Sequence, residues 1–247
     1  MNIALVTGGS RGIGRATAIL LARQGWRVAV NYVHRTAEAE SVVAEIGRQG
    51  GSAFAVQADI ADEAQVVAMF ADIDRQPEPL KALVNNAGIL FQQATLEQLT
   101  AERINRVFAT NVTGCFICCR EAVKRMGHHY GGGGGAIVNV SSAASRTGAP
   151  GEYVDYAASK GAMDTLTRGL SLEVAAQGIR VNGVRPGYIY TDMHTDGGEP
   201  QRVDRLASAI PMQRGGQPGE IASAIAWLLS DEASYITGTF IDAAGGR

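Results

Sequence analysis

Residues 7–14 read Thr7-Gly8-Gly9-Ser10-Arg11-Gly12-Ile13-Gly14, directly after the apolar run Ile3-Ala4-Leu5-Val6. A short apolar run that enters a glycine cluster and leaves into a helical pattern is a strand–turn–helix unit. Glycines there let the backbone turn tightly and approach an anion, whose charge then sits against the free N–H groups of the following helix. The spacing is G-x-x-x-G-x-G from Gly8, not the G-x-G-x-x-G of the commoner dinucleotide fingerprint. A glycine-rich loop alone is weak evidence, because loops without ligands also use glycine freely. The strand before it and the helix after it favour nucleotide binding.

Outward from this loop, short β-rich runs alternate with longer helical patterns. Strands are expected at Ile3–Thr7, Arg27–Tyr32, Ala53–Ala58, Ala82–Asn85, Ala136–Val140, Arg180–Arg185 and Thr239–Asp242. Most are apolar on consecutive residues, as burial of both faces requires. Helices are expected at Gly12–Gln24, Ala37–Gln49, Glu63–Asp74, Glu102–Met126, Val154–Ala176 and Gly219–Leu229, with Asp62 and Pro218 as helix starts. In the second of these, Val42, Val43 and Ile46 recur at helical spacing while Glu38, Glu45 and Arg48 are left for solvent. The order predicts an α/β fold: a single Rossmann-type doubly wound parallel sheet of about seven strands, helices on both faces, and ligand at the carboxyl ends of the strands. No linker or repeat divides the chain, so residues 1–247 are expected to form one domain; Gly131–Gly135 reads as a loop tip.

Composition narrows the class. With 46% hydrophobic and 19% charged residues over 247 positions, the chain can bury a sizeable core. A formal net charge of −2 leaves no basic footprint for nucleic acid. No apolar run is long enough to span a bilayer, and Met1–Val6 lacks the charged and apolar regions of a signal peptide. Cys115, Cys118 and Cys119 are an odd, clustered set. They suit a reducing cytoplasm better than a disulfide framework, and with no second Cys or His pair at ligand spacing they are expected as small buried residues, not a metal site.

Cofactor choice is written at the end of the second strand. An acid there bonds the ribose 2′-hydroxyl of NAD, whereas basic residues favour the 2′-phosphate of NADP. The strand ends Val30-Asn31-Tyr32-Val33-His34-Arg35 without a carboxylate, and Arg11 adds a cation inside the glycine loop. NADP(H) is expected over NAD(H).

Two later segments carry the chemistry. Ile137-Val138-Asn139-Val140-Ser141-Ser142 is a strand with hydroxyls at its carboxyl tip. Tyr156 and Lys160 are four apart on a helix, hence on one face. A phenol of pKa near ~10 is a poor acid–base at neutral pH, and a nearby ammonium favours the phenolate. Tyr153 cannot substitute, because four residues on stands Ala157. A Y-x-x-x-K pair by itself occurs by chance in many helices.

From Thr7 to Gly246 these motifs, in this order, make the chain resemble the single-domain branch of the short-chain dehydrogenase/reductases. Thr7–Gly14 is similar to that family's cofactor loop, with Gly8, Ser10, Arg11, Gly12, Ile13 and Gly14 on the phosphates. Tyr32, His34 and Arg35 border the adenosine side, and Asp59-Ile60 resembles the pair at the adenine ring. Asn85-Asn86-Ala87-Gly88 is similar to the N-N-A-G motif, of which Asn86, Ala87 and Gly88 are expected at the cofactor. Arg185-Pro186-Gly187 with Ile189 and Thr191 resembles the nicotinamide carboxamide segment.

The resemblance implies a tetrad of Asn111, Ser142, Tyr156 and Lys160. Tyr156 is expected to exchange the proton, Lys160 to lower its pKa and hold the nicotinamide ribose, and Ser142 to hydrogen-bond the substrate oxygen. Asn111 is expected to support a water leading from Lys160. Adjacent strand residues alternate faces, so only one of Ser141 and Ser142 can serve, and the family pattern favours Ser142.

Thr191–Pro200 is polar, contains Gly197-Gly198, and suits a mobile lid over a small polar substrate. Ser142, Arg146, Tyr153, Tyr188, Met193 and His194 are the candidate pocket residues. The resemblance leaves two substrate classes. Glucose 1-dehydrogenase-like members point to sugars and other small alcohols or ketones. 3-Oxoacyl-(acyl-carrier-protein) reductases point to an acyl thioester, for which Arg120, Lys124, Arg125, His128 and His129 are a candidate docking patch. A non-catalytic NADP(H)-binding regulator is the alternative of another class; such proteins usually lose Tyr or Lys, and here both are present. The resemblance also implies a homotetramer, paired through the long helices and the closing strand.

Overall fold

The structure, a computed structural model, describes residues 1–247. Seven strands, β1 (Ile3–Val6), β2 (Arg27–Tyr32), β3 (Ser52–Gln57), β4 (Leu80–Asn85), β5 (Gly135–Val140), β6 (Ile179–Pro186) and β7 (Phe240–Ala243), form one sheet. Their order is β3-β2-β1-β4-β5-β6-β7 and every neighbouring pair is parallel. Each lies within a residue or two of its expected span. The order turns back between β1 and β4, which opens a crevice at their carboxyl ends, where doubly wound sheets bind ligands.

Side-chain alternation along the strands sorts the core into two layers. Ile3, Leu5, Leu83 and Ile137 face one side and pack with Phe70 of α3 (Glu63–Asp74), Met126 of α5 (Gly114–Met126) and Met163 of α7 (Val154–Val174). Ala4, Val6, Val84 and Val138 face the other, against Leu21 of α1 (Gly12–Arg23), Ile46 of α2 (Thr36–Arg48) and Ile225 of α10 (Pro218–Leu229). Each large side chain so withdrawn from water contributes roughly 1.5–3 kcal/mol. Cys115, Cys118 and Cys119 are unpaired and lie in the first layer. The expected helix starts hold: Asp62 accepts from the N–H groups of Ala64 and Gln65, and α10 begins at Pro218.

One helix departs from expectation. Glu102–Met126 is not uniform but divides into α4 (Ala101–Phe108), a π-helical turn (Ala109–Thr113) and α5. The wide turn carries Asn111, whose amide is bonded to the backbone of Ile89, and π-turns of this kind cluster at functional sites. Gly114 then lets the helix pass close to the preceding chain: a Cβ there would sit 2.6 Å from the Ile60 carbonyl. Short helices α6 (Ala144–Thr147), α8 (Met193–Asp196) and α9 (Arg202–Leu206) complete the chain around the crevice.

Candidate active site

The glycine loop forms one wall of a groove of about 320 Å³ at the crevice. Gly8 adopts φ +61° and Gly12 φ +53°, conformations that side chains disfavour. Gly14 is excluded from any larger residue, since a Cβ would stand 2.3 Å from the Gly8 carbonyl. The loop is braced from outside. Asn86 donates to the carbonyls of Thr7 and Gly8, and buried Asn31 accepts from the Gly8 N–H at 3.2 Å. Asn31 was not singled out as a site residue in the sequence, where it reads only as part of a strand.

Ser10, Arg11, Ile13, Tyr32, His34, Arg35, Asp59, Ile60, Ala87, Gly88 and Thr191 line the same groove, as expected for cofactor contacts. No carboxylate lies at the end of β2. Two acids line the groove, Asp59 and Asp192, and Asp59 is engaged by Arg106 at 3.2 Å and by the Ala61 N–H. Arg11 Nη2 donates to Asp196 at 2.5 Å, while Nη1 is buried without an acceptor, 4.0 Å from Asp192. An orphaned guanidinium nitrogen beside a glycine cradle fits an anionic ligand such as a dinucleotide phosphate.

The groove continues, past Ile13, Asn86, Thr191 and Met193, into a cavity of about 340 Å³. Ser142, Tyr156 and Lys160 line it together with Pro186, Gly187 and Ile189. Both serines follow the end of β5 and border the cavity, but they are engaged differently: Ser141 donates to the Lys160 carbonyl at 3.2 Å, while Ser142 accepts the Ala144 N–H at 3.1 Å. Lys160 Nζ donates to the Val140 carbonyl at 2.8 Å. Asn111 holds the Ile89 backbone and donates to Ser159 at 3.0 Å.

The expected depression of the phenol by Lys160 is not what the protein groups produce. Burial raises Tyr156 to about 12, against the opposing bond from Ser142. Burial also lowers Lys160 to about 8, so the ammonium is itself disfavoured.

Tyr153, Tyr188, Met193 and His194 line the cavity as expected. His194 is desolvated, which lowers its pKa, and its Nε2 lies 3.0 Å from the Ile189 carbonyl, so it pins the lid segment. Arg146 does not belong to this set: it turns outward and binds Asp242 of β7 at 2.7 Å. Glu152, Arg202 and Arg247 were not anticipated. Arg202, only 3% exposed, pairs with Glu152 and with Glu199 at 2.9 Å, and lies over the Tyr153 and Tyr188 rings. Arg247 donates to the Tyr188 hydroxyl at 2.7 Å. The i,i+3 spacing of Glu199 and Arg202 was the one local signal; Glu152 lies 50 residues from Arg202, and Tyr188 lies 59 from Arg247, too far for spacing to show. Leu90, Val140, Ala143, Pro150 and Leu206 make the lining more apolar than the lid sequence implies.

The candidate docking patch is laced with internal ion pairs. Arg120 is held by Glu63 and Glu121, Lys124 by Glu121, and Arg125 by Asp74 and Glu121. Three of its cations are neutralised within the molecule. No helix is long and apolar enough to cross a membrane.

A family model described as enoyl-(acyl carrier protein) reductase matches residues 8–247. The chain is 72% identical over 247 residues to the uncharacterized oxidoreductase YgfF of Escherichia coli K12, covering 100% of both. It is 42% identical over 243 residues to the 3-oxoacyl-(acyl-carrier-protein) reductase FabG of Staphylococcus aureus, covering 98% of this chain and 96% of that protein. A crystal structure of a dehydrogenase/reductase from Sinorhizobium meliloti 1021 superimposes with a TM-score of 0.91 at 34% identity, over 99% of this chain and 94% of the other.

Proposed function

Since this chain belongs to the short-chain dehydrogenase/reductase family of oxidoreductases, we propose that it moves hydride between NADP(H) and the CH–OH or C=O carbon of a small alcohol, sugar or ketone. The observation that carries this reading is the meeting of Ser142, Tyr156 and Lys160 on the wall of a cavity continuous with the glycine-loop groove. Arg11, His34 and Arg35, with no acid at the end of β2, support the NADP preference.

Held by the glycine loop and by Pro186, Gly187, Ile189 and Thr191, a nicotinamide cofactor would supply or accept the hydride. Tyr156 donates the proton to the substrate oxygen during reduction and recovers it during oxidation. Ser142 hydrogen-bonds that oxygen and stabilises the charge developing on it. Lys160 holds positive charge beneath the phenol, and Asn111 fixes the Ile89 turn that borders Lys160. The lid excludes water, closed by Arg202 on Glu152 and Glu199.

A second reading, reduction of a 3-oxoacyl thioester, is favoured by the FabG relative and by the apolar lining around Leu90, Pro150 and Leu206. We place the protein in the cytoplasm as a homotetramer, a state that its mass in solution tests.

NADPH oxidation and NADP reduction, followed by absorbance against sugars, polyols, diketones, aldehydes and 3-oxoacyl thioesters, test the proposal. Tyr156→Phe should reduce turnover about 10²–10⁴-fold while leaving NADPH binding in place. Near-parent turnover in that variant would overturn the assignment. The best substrate's shape chooses between the two readings.

A further inference from the structure

Asp155 immediately precedes Tyr156 in the first turn of α7, and its side chain is only 2% exposed. An uncompensated carboxylate at that depth costs several kcal/mol, so the fold must supply a partner. It does so from a different helix. Arg103 of α4 grips both oxygens, Nε to Oδ2 at 2.8 Å and Nη2 to Oδ1 at 3.3 Å, the planar fork suited to a carboxylate. Oδ1 also accepts the backbone N–H of Tyr156 at 2.9 Å. The α7 N-cap residue, Tyr153, provides no side-chain bond, so Asp155 satisfies a first-turn donor otherwise left open.

The same guanidinium fixes a third segment. Its Nη1 donates to the Gln92 carbonyl at 2.7 Å, and its plane lies over the Phe91 ring at 5.7 Å. The next residue, Gln93, holds Glu199 of the lid at 2.7 Å. One cation therefore ties α4, the loop after β4 and the start of α7 to each other, at the residue next to the phenol.

We propose that Arg103 and Asp155 are a positioning pair for Tyr156: they fix the first turn of α7 and so the direction from which the phenol enters the cavity. The inference rests on Tyr156 being the proton donor. The other ionisable groups around the phenol are accounted for. Lys160 lies below it on α7, with Cys115 of α5 and Asp164 acting on Lys160. From the cavity side come desolvated His194, the Glu152–Arg202 pair, Tyr153, Tyr188 and Arg247. Loss of Arg103 leaves Asp155 a buried anion without its cation and unties the turn that carries Tyr156; loss of Asp155 leaves the Tyr156 N–H without its acceptor.

The pair should act as a unit. With acetoacetyl coenzyme A as probe, Arg103→Met and Asp155→Ala should each lower kcat about tenfold with KM little changed, and the double variant should also lose about tenfold, not a hundredfold. Arg103→Lys, which keeps the charge, and Asp155→Asn, which keeps an acceptor for the Tyr156 N–H, should stay near the parent. NADPH binding to the full-length protein, followed by fluorescence, should be unchanged in every variant and guards against a misfolded one; it needs no substrate, so its outcome is separate from the question of what the enzyme reduces. Multiplicative losses in the double variant, or a rise in KM with kcat unchanged, would overturn the proposal.

Discussion

The Nζ of Lys160 lies 5.6 Å from the centre of the Tyr156 ring, and both groups are buried. Burial works against each charged form: Lys160 falls to about 8 from 10.5, and Tyr156 rises to about 12 from 10.0. Proximity alone does not make a phenolate. The site holds two groups whose protonation is decided by desolvation before any charge–charge attraction counts.

That relationship fixes a stability profile. Below pH 8 the folded protein carries a buried ammonium that the unfolded chain holds in water at no cost. Between pH 8 and 10.5 the unfolded state binds more protons at this site, so the lysine's contribution to stability rises with pH. Tyr156 acts in the opposite sense above pH 10, where the unfolded state loses its proton first. Lys160→Met should therefore gain most relative to the parent at neutral pH, by roughly 1–3 kcal/mol less the lost bond to Val140, and the gain should shrink toward pH 10. Denaturant unfolding of both proteins at pH 7 and pH 9.5 measures it; a difference independent of pH would contradict the buried-ammonium account.

The adjacent serines should separate function from stability. Ser142→Ala removes the hydroxyl facing the phenol and should lower kcat roughly 10²–10³-fold with NADPH affinity retained. Ser141→Ala removes a bond to the Lys160 carbonyl and should cost about 1 kcal/mol of stability with little effect on turnover. Steady-state kinetics beside thermal unfolding reads both; equal losses of turnover in the two variants would refute the division.

Much of this was legible in the chain. Apolar runs and the glycine loop predicted all seven strands, whereas the choice of Ser142 over Ser141 came from the family pattern. What escaped depends on contacts distant in sequence. Ala109–Thr113 keeps a helical pattern, so its wider π-turn shows only where Asn111 meets Ile89. Arg146 follows a catalytic-looking strand, yet its direction is set by Asp242 in β7. Arg202 reads as one more surface cation until the fold lays it against Glu152, and Arg103 has no visible partner until α4 crosses the start of α7.

The glycine-loop cation should govern cofactor choice. Arg11→Ala should weaken NADPH binding about tenfold or more and NADH far less, since a charge-assisted bond contributes about 1.5–3 kcal/mol. Asp196 competes for the same guanidinium, so Asp196→Asn should tighten NADPH. Fluorescence titration of the parent and both variants with each cofactor at fixed ionic strength gives these affinities. Equal weakening for both cofactors in Arg11→Ala would remove the guanidinium from the 2′-phosphate.

Two cations share Glu199, and their burial predicts unequal consequences. Arg202 has a side chain 4% exposed and bridges Glu199 to Glu152 between two tyrosine rings, whereas Arg205 binds the same carboxylate from a side chain 53% exposed. An exposed pair is screened by water and contributes little, so Arg205→Ala should change stability by less than about 1 kcal/mol. Arg202→Met leaves Glu152 facing the cavity without its cation and unties the lid from the turn before α7. Breaking a pair with one partner this deeply buried should cost roughly 2–4 kcal/mol, near the lower part of the range for fully buried pairs because Glu152 and Glu199 retain some solvent. It should also raise KM more than it lowers kcat, since Arg202 shapes the cavity without carrying the proton. Limited proteolysis of 191–206 should accelerate in Arg202→Met and remain near the parent rate in Arg205→Ala. Equal acceleration in both would mean that the lid is held by surface charge and not by the buried guanidinium.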